Sequence, residues 1–448
     1  MVVGLIRALN RPVDAASAAA FRVLFGALML LSTVRFFGRG WIAEDYLKPK
    51  LFFHYWGFSW VHPFSGAGMY VLYAVVALSA CCVLLGVAYR SAAFAFALTF
   101  SYAHLCDKSN YLNHYYLISL LGCLFVVLPL DCEFSFRAWR RPSERKGRVR
   151  AWVLYLLRFQ IGVVYVFGGI GKLGSDWLIH GEPLHLWLAM SAELPVLGRL
   201  LVQPWAGLAF SWAGALFDLS IVPLLSWRVT RKPAYVAVVT FHVLTALLFQ
   251  IGMFPWIMIV SATLFWDPAW PRHALQRWTH FRQAVVPEAV AGASLGRGAS
   301  VLAGAFAAAQ LLIPLRSALY PGNTLWTEEG FRFAWKVMLI EKVGSLELNV
   351  VDSAGHKYLV PASQYLTPFQ ARMTATQPDM ILEFAHDVAR DFEAHGRGAV
   401  RVYADSQVSF NGRRHHRLID PTRDLTRETD DFGHQTFILP APDEPPLF

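Results

Sequence analysis

The sequence predicts an α-helical polytopic membrane protein of about nine transmembrane helices, with a small C-terminal α+β extramembrane domain. Three observations predict it: the chain is too apolar for a soluble globule, its apolar runs match a bilayer's thickness, and alternating strand patterns begin near Tyr320. Of 448 residues, 55% are hydrophobic and 16% charged, with mean hydropathy +0.39, which excludes an ordinary soluble fold. The net charge of +9 is no nucleic-acid footprint, because the cations cluster in short stretches between apolar runs, as cytoplasmic membrane loops do.

Arg7 and Arg11 precede an apolar run too long for a signal h-region, so the first span is expected to remain as an anchor. Runs able to cross about 30 Å of hydrocarbon occur at 16–38, 68–88, 91–106, 111–130, 151–171, 205–226, 234–252, 254–268 and 297–316. The runs at 91–106 and 254–268 are short and admit tilted, re-entrant or merged paths. Arg137 to Arg150 carries seven Lys or Arg, Trp227 to Lys232 carries three, and the 269–297 loop carries Arg272, Arg277, Arg282 and Arg297. With the N-terminus inside and nine spans, all three loops fall in the cytoplasm, satisfying the positive-inside rule. Asp107 to Asn110, Lys172 to Pro204 and the C-terminal tail then share the outer face, with Asn113 and His114 just inside it.

The five cysteines, Cys81, Cys82, Cys106, Cys123 and Cys132, lie in the first third. They read as small core residues, with neither an exported disulfide framework nor a structural metal expected. Residues 1–320 are read as the membrane domain and 321–448 as an exported α+β domain. In the latter, 345–351, 357–360 and 399–403 alternate like strands, and 378–392 has helical spacing.

Lys172 follows Gly168-Gly169-Ile-Gly171 at the outer end of the fifth span. The glycines allow close helix approach, and a lysine held there with little water is pushed towards the neutral amine that acts as a base; the other reading is a lysine snorkelling to the interface. His114 can relay a proton and the Asn113 amide can bind a carbonyl or oxyanion, beside Asp107 and Lys108. Helix capping and an aromatic belt of Tyr111, Tyr115 and Tyr116 account for the same stretch. His242 and Gln250 in the seventh span are open between interhelical bonding and a site, and Asp218 in the sixth is open between a site and pairing with an arginine. For Arg22, Arg35 and Arg158, interhelical ion pairs are the stronger reading. The run Arg413-Arg-His-His-Arg417 reads as a solvated basic turn. No P-loop or HExxH motif occurs.

Asp107-Lys-Ser-Asn-Tyr-Leu-Asn-His-Tyr-Tyr-Leu117, Val164 to Trp177 with its Gly-Gly-Ile-Gly-Lys-Leu core, Phe241-His242 with Ile251 to Phe254, Trp326-Thr-Glu-Glu-Gly-Phe-Arg-Phe-Ala-Trp335 and Val408 to Pro421 follow one another along nearly the whole chain. As a set they resemble the vitamin K-dependent gamma-glutamyl carboxylase family and its bacterial relatives with the HTTM domain. The resemblance implies that Lys172 is the base that deprotonates vitamin K hydroquinone, or menaquinol, and that His114 couples epoxidation to carboxylation. It implies reaction of the hydroquinone anion with O₂, removal of a glutamate γ-proton, attack of the carbanion on CO₂, and no metal. Asn113 is then a polar partner; Asp107, Lys108, His242, Gln250 and Asp218 line or support the pocket; and Trp326 to Trp335 joins the exported domain to it, with Trp335 at the quinone. Partners are a glutamate-containing exported peptide or protein and membrane lipid. The location is a bacterial inner membrane with the C-terminal domain outside, or the endoplasmic reticulum in a eukaryote. Eukaryotic members carry two consecutive lysines where this chain has Gly171-Lys172, and Leu-Asp-Ala-Asp where it has Leu173-Gly-Ser-Asp176; its tail is also shorter than in the animal enzymes. A hydroquinone epoxidase without efficient carboxylation, and a non-catalytic quinone- or lipid-binding scaffold, are the alternatives.

Overall fold

The computed structural model describes residues 2–195, 197–249, 251–279 and 287–447; Gln250 and Arg282 lie outside the described residues. Each predicted run contains a helix: α1 (Ala16–Gly38), α2 (Ala67–Leu85), α3 (Tyr89–Leu105), α4 (Asn113–Val127), α5 (Ala151–Gly171), α6 (Pro204–Ser226), α7 (Arg231–Leu248), α8 (Phe254–Ala262) and α9 (Arg297–Leu315). Among the described residues, five helices are long and apolar enough to span a membrane: α1, α2, α5, α6 and α9 with its continuation to Leu319. This is an integral membrane protein; five of the nine expected spans coincide with helices of spanning length and apolarity, and nine full spans are not confirmed. Length and composition explain the difference. The 15 residues of α4 reach about 22 Å at 1.5 Å per residue, short of about 30 Å of hydrocarbon. Helix α8 ends after 9 residues in a 3₁₀ turn, and α7 opens on Arg231-Lys232-Pro233.

On one face β1 (Pro12–Asp14) pairs antiparallel with β2 (Arg148–Arg150), which runs parallel to β3 (Val290–Ala291). This small sheet gathers the N-terminus and two of the cation-rich loops. Among the described residues, no ion pair holds Arg22, Arg35 or Arg158. Arg22, fully buried, donates to the carbonyls of Val83, Leu84, Leu130, Glu133 and Phe134, and Arg158 to those of Leu264 and Trp266. Carbonyls at helix ends lack intrahelical donors, and a guanidinium has several N–H groups with which to satisfy them. Arg35 rests on the Trp41 ring, 5.1 Å from its centroid.

C-terminal to α9, β4 (Lys342–Val351), β5 (Lys357–Pro361), β6 (Arg401–Phe410) and β7 (His415–Arg417) form an antiparallel sheet of order β5-β4-β6-β7. Alternation along β6 buries Val402, Ala404, Ser406, Val408 and Phe410. Its apolar face shares a core with Ile381, Phe384 and Val388 of α11 (Pro378–Ala394), which follows α10 (Pro368–Thr374). Phe53, from the α1–α2 connection, is fully buried in the same core.

The glycines before Lys172 act through packing. A Cβ on Gly169 would lie 2.8 Å from Leu219 Cγ and 3.1 Å from its backbone N on α6, and one on Gly171 would meet Leu339 at 2.9 Å. Gly169→Ala is therefore expected to destabilise the protein by about 1–2 kcal/mol, because overpacking outweighs the roughly 1 kcal/mol gained in helix propensity. Thermal unfolding in detergent checks this; a variant as stable as the parent would refute the close-approach role.

Candidate functional site

Helical spacing builds the site. Tyr165, Gly168 and Lys172 stand three and four residues apart on α5 and its C-cap, and Phe210, Gly214 and Asp218 follow at steps of four on α6, so each set forms one face. These faces, with Phe241 and His242 of α7, Phe254 of α8 and Val337 and Met338 from the segment before β4, line a largely apolar cavity of about 70 Å³.

Lys172 is 5% exposed. Its Nζ donates to Asp218 Oδ2 at 2.8 Å and to the Gly168 carbonyl at 3.3 Å, and lies 5.2 Å from the centroid of the Trp177 ring. The lysine is thus turned inward and ion-paired, not snorkelling, and Asp218 pairs with it rather than with an arginine. Gly214 packs beside the lysine stem, where a Cβ would stand at ordinary contact distance, 3.9 Å from Lys172 Cε.

His242 Nε2 lies 3.0 Å from the Tyr165 hydroxyl, while Nδ1 is buried with no hydrogen-bond partner among the described residues. When Tyr165 donates to Nε2, the neutral imidazole carries its proton on Nδ1. An orphaned donor in an otherwise apolar wall fits a ligand that brings its own oxygen. Phe241, Phe254 and Trp177 supply flat apolar surface to the cavity.

The other expected site residues stand apart from this cavity. His114 is one ring away: Phe254 lies 6.2 Å from both His114 and His242, centroid to centroid. Asn113 acts on the protein itself, its Nδ2 donating to the Lys336 carbonyl at 3.1 Å and its Oδ1 accepting from Tyr111 at 3.1 Å. It thereby fixes the stretch leading into Val337 and Met338. Trp335, fully buried with φ +57°, stacks on Tyr116 at 4.8 Å.

Asp107 and Lys108, expected at the pocket, are absent from its lining and face the α+β region. Asp107 accepts from Ser109 N at 2.8 Å and Gln370 Nε2 at 2.9 Å, and burial pushes its pKa up to about 6. Lys108 Nζ lies 3.0 Å from both Asp379 and Glu383 of α11. Burial opposes the charge on Asp379, but Arg332 and Lys108 outweigh it and hold the carboxyl well below the usual range. A charge this close to an apolar run reads as catalytic when the chain that covers it is remote in sequence. The sequence reading also missed Tyr165, Phe241, Val337 and Met338. Helical spacing from Lys172 and His242 was the available signal for the first two; nothing local marked the others.

Lys108→Met is expected to lose about 2–3 kcal/mol at neutral pH, somewhat under the usual cost of breaking a buried pair because Arg332 still faces Asp379. Asp379 is depressed, so its contribution is present above the unfolded value near 3.9 and fades as pH falls through the folded one. Thermal unfolding at pH 7 and pH 3 checks both: a large deficit at 7, a smaller one at 3. Equal midpoints at pH 7 would remove the latch role.

The HTTM domain family model matches residues 10–270, and that of the vitamin K-dependent gamma-carboxylase lumenal domain matches residues 297–444. No solved structure matches the chain. With one match over more than half its length and the other over most of the remainder, the chain belongs to the vitamin K-dependent gamma-glutamyl carboxylase family.

Proposed function

We propose that this protein is a membrane enzyme that couples oxygenation of reduced vitamin K to its epoxide with carboxylation of glutamate by CO₂, the glutamate belonging to a peptide or protein on the face of the α+β domain. The observation that carries the reading is the Lys172–Asp218 pair, 2.8 Å apart in the wall of an apolar cavity. Family membership supplies the substrate class. Reduced vitamin K, when bound, supplies the reaction with O₂.

The chain's residues hold a proton, orient the ring and exclude water. A lysine and a carboxylate in a dry site are a coupled pair, in which the shared proton can rest on either partner. With that proton on Asp218, the Lys172 amine is the acceptor for a hydroxyl proton. His242 Nδ1–H, held in direction by Tyr165 on Nε2, is the donor to an oxygen on the opposite side of the ring. The walls protect a strong base from solvent. His114, behind Phe254, is placed to act through that ring and Gly252; a Cβ on Gly252 would lie 3.8 Å from His114 Nε2.

Detergent-purified protein given reduced vitamin K, labelled bicarbonate and a glutamate-rich peptide is expected to form epoxide and fix label together. Lys172→Ala is expected to reduce epoxide formation by about 10²–10⁴-fold, the range for a lost proton-transfer group, and Asp218→Asn by at least about 10²-fold because the pair acts as a unit. Undiminished epoxide in Lys172→Ala sinks the assignment. Epoxide without fixed label points to an epoxidase, and neither product from the parent protein points to a binding scaffold.

A further inference from the structure

The residue four places after Lys172 is held by the far end of the chain. Asp176 opens a π-helical turn, Asp176–His180, and is 8% exposed. Arg413 takes its carboxylate in a fork, with Nη2 to Oδ1 at 2.6 Å and Nη1 to Oδ2 at 2.9 Å, and Asn411 Nδ2 adds a third bond to Oδ2 at 3.0 Å. The guanidinium plane is fixed from behind, since Arg413 Nε donates to the Glu444 carbonyl at 2.8 Å. Arg413 is therefore no solvated basic turn.

Asn411 does more than share Asp176. Fully buried and in the left-handed region at φ +45°, it also donates to the Leu339 carbonyl at 3.3 Å and accepts from Glu341 N at 2.8 Å. One turn after β6 thus reaches both the lysine turn and the end of the segment carrying Val337 and Met338 into the cavity. The residue after Asp176 is Trp177, whose ring faces Lys172 Nζ at 5.2 Å and whose Nε1 donates to the Ser211 carbonyl of α6 at 2.7 Å.

We propose that Arg413 and Asn411 are positioning residues for the oxygenation of reduced vitamin K: by holding Asp176 they set Trp177 over the Lys172 amine, so the α+β region is required for that step even when no glutamate substrate is present. This rests on the function proposed above. A carboxylate fork is specific to arginine; lysine keeps the charge but cannot make two parallel bonds. Loss of the fork frees Asp176 and with it the Trp177 ring, and displacement of about 1 Å at a reacting group can cost roughly 10²-fold.

The test uses full-length Arg413→Lys, the double variant Asp176→Glu/Arg413→Lys, in which a longer acid meets a shorter base, and Asp176→Asn/Arg413→Met, which removes both charges without stranding either. Epoxide formation is measured without peptide, alongside thermal unfolding and, with peptide, the peptide KM. Arg413→Lys is expected to lower kcat for epoxide by between about 10- and 100-fold with peptide KM unchanged. The Glu/Lys pair should recover part of that loss, and the Asn/Met variant should stay folded yet slow. Wild-type kcat in Arg413→Lys and in the Asn/Met variant would overturn the proposal, as would losses that simply track unfolding. A second readout is independent of activity: labelling of Lys172 by an amine-reactive reagent, located by mass spectrometry. It should be faster in Arg413→Lys than in the parent; equal rates would overturn the positioning role. If the parent protein makes no epoxide, the proposed reaction fails while the labelling result still decides whether the clamp holds the lysine.

Discussion

The buried pair of Lys172 and Asp218 is the interaction on which the rest of the structure depends. Two opposite charges in an apolar cavity are tolerated only when they are close and when nothing admits water beside them. Closeness is provided by Gly169, which lets α5 meet the backbone of α6 at Leu219, the neighbour of Asp218. The glycines around Lys172 are thus one solution to one requirement, bringing a long cation on one helix and a short carboxylate on the next within a hydrogen bond without strain in either.

Exclusion of water is a separate requirement, and the helices do not meet it alone. The segment carrying Val337 and Met338 closes the cavity from the α+β side. An isolated loop with left-handed residues at Phe333, Trp335 and Met338 would not hold one shape, because each such position is unfavourable for a residue with a side chain. Two asparagines hold it: Asn113 of α4 at the Lys336 carbonyl and Asn411 after β6 at Leu339 and Glu341. One belongs to the helical part and the other to the sheet. The cavity wall is thus held from both parts, and the Lys108 network with Asp379 and Glu383 ties the same two parts together.

The helices were legible because apolar length and periodicity are local properties, and alternation, local too, marked 345–351 and 357–360 within β4 and β5, while 399–403 caught only the start of β6. Lys172 and His242 could be singled out because polar groups in apolar runs are costly wherever they sit. What each one does was less accessible. Asp218 is as anomalous as Arg22 when read along the chain, yet one faces a lysine and the other is satisfied by carbonyls. Only the arrangement of helices separates them. Asp107 and Lys108 likewise gain partners 263 and 271 positions away, at Gln370 and Asp379, and Arg413 finds its partner at Asp176. Long-range pairing between charged side chains leaves no periodic signature, so a structural clamp and a catalytic cation look the same in sequence.

The departure at Gly171-Lys172 from the eukaryotic members' paired lysines acquires a physical meaning from this packing. A Cβ at position 171 would stand 2.9 Å from Leu339 Cδ1, the far end of a flexible side chain next to the cavity-closing stretch. A side chain at 171 therefore requires position 339 to yield, and the two positions act together in setting how tightly the segment lies on α5. The change from Leu-Asp-Ala-Asp to Leu173-Gly-Ser-Asp176 leaves untouched the one acid that Arg413 and Asn411 hold. A side chain at position 174 would meet nothing within 4 Å of its Cβ. In this chain the electrostatics around Lys172 are governed by Asp218, and the acid that positions its neighbour Trp177 has been kept.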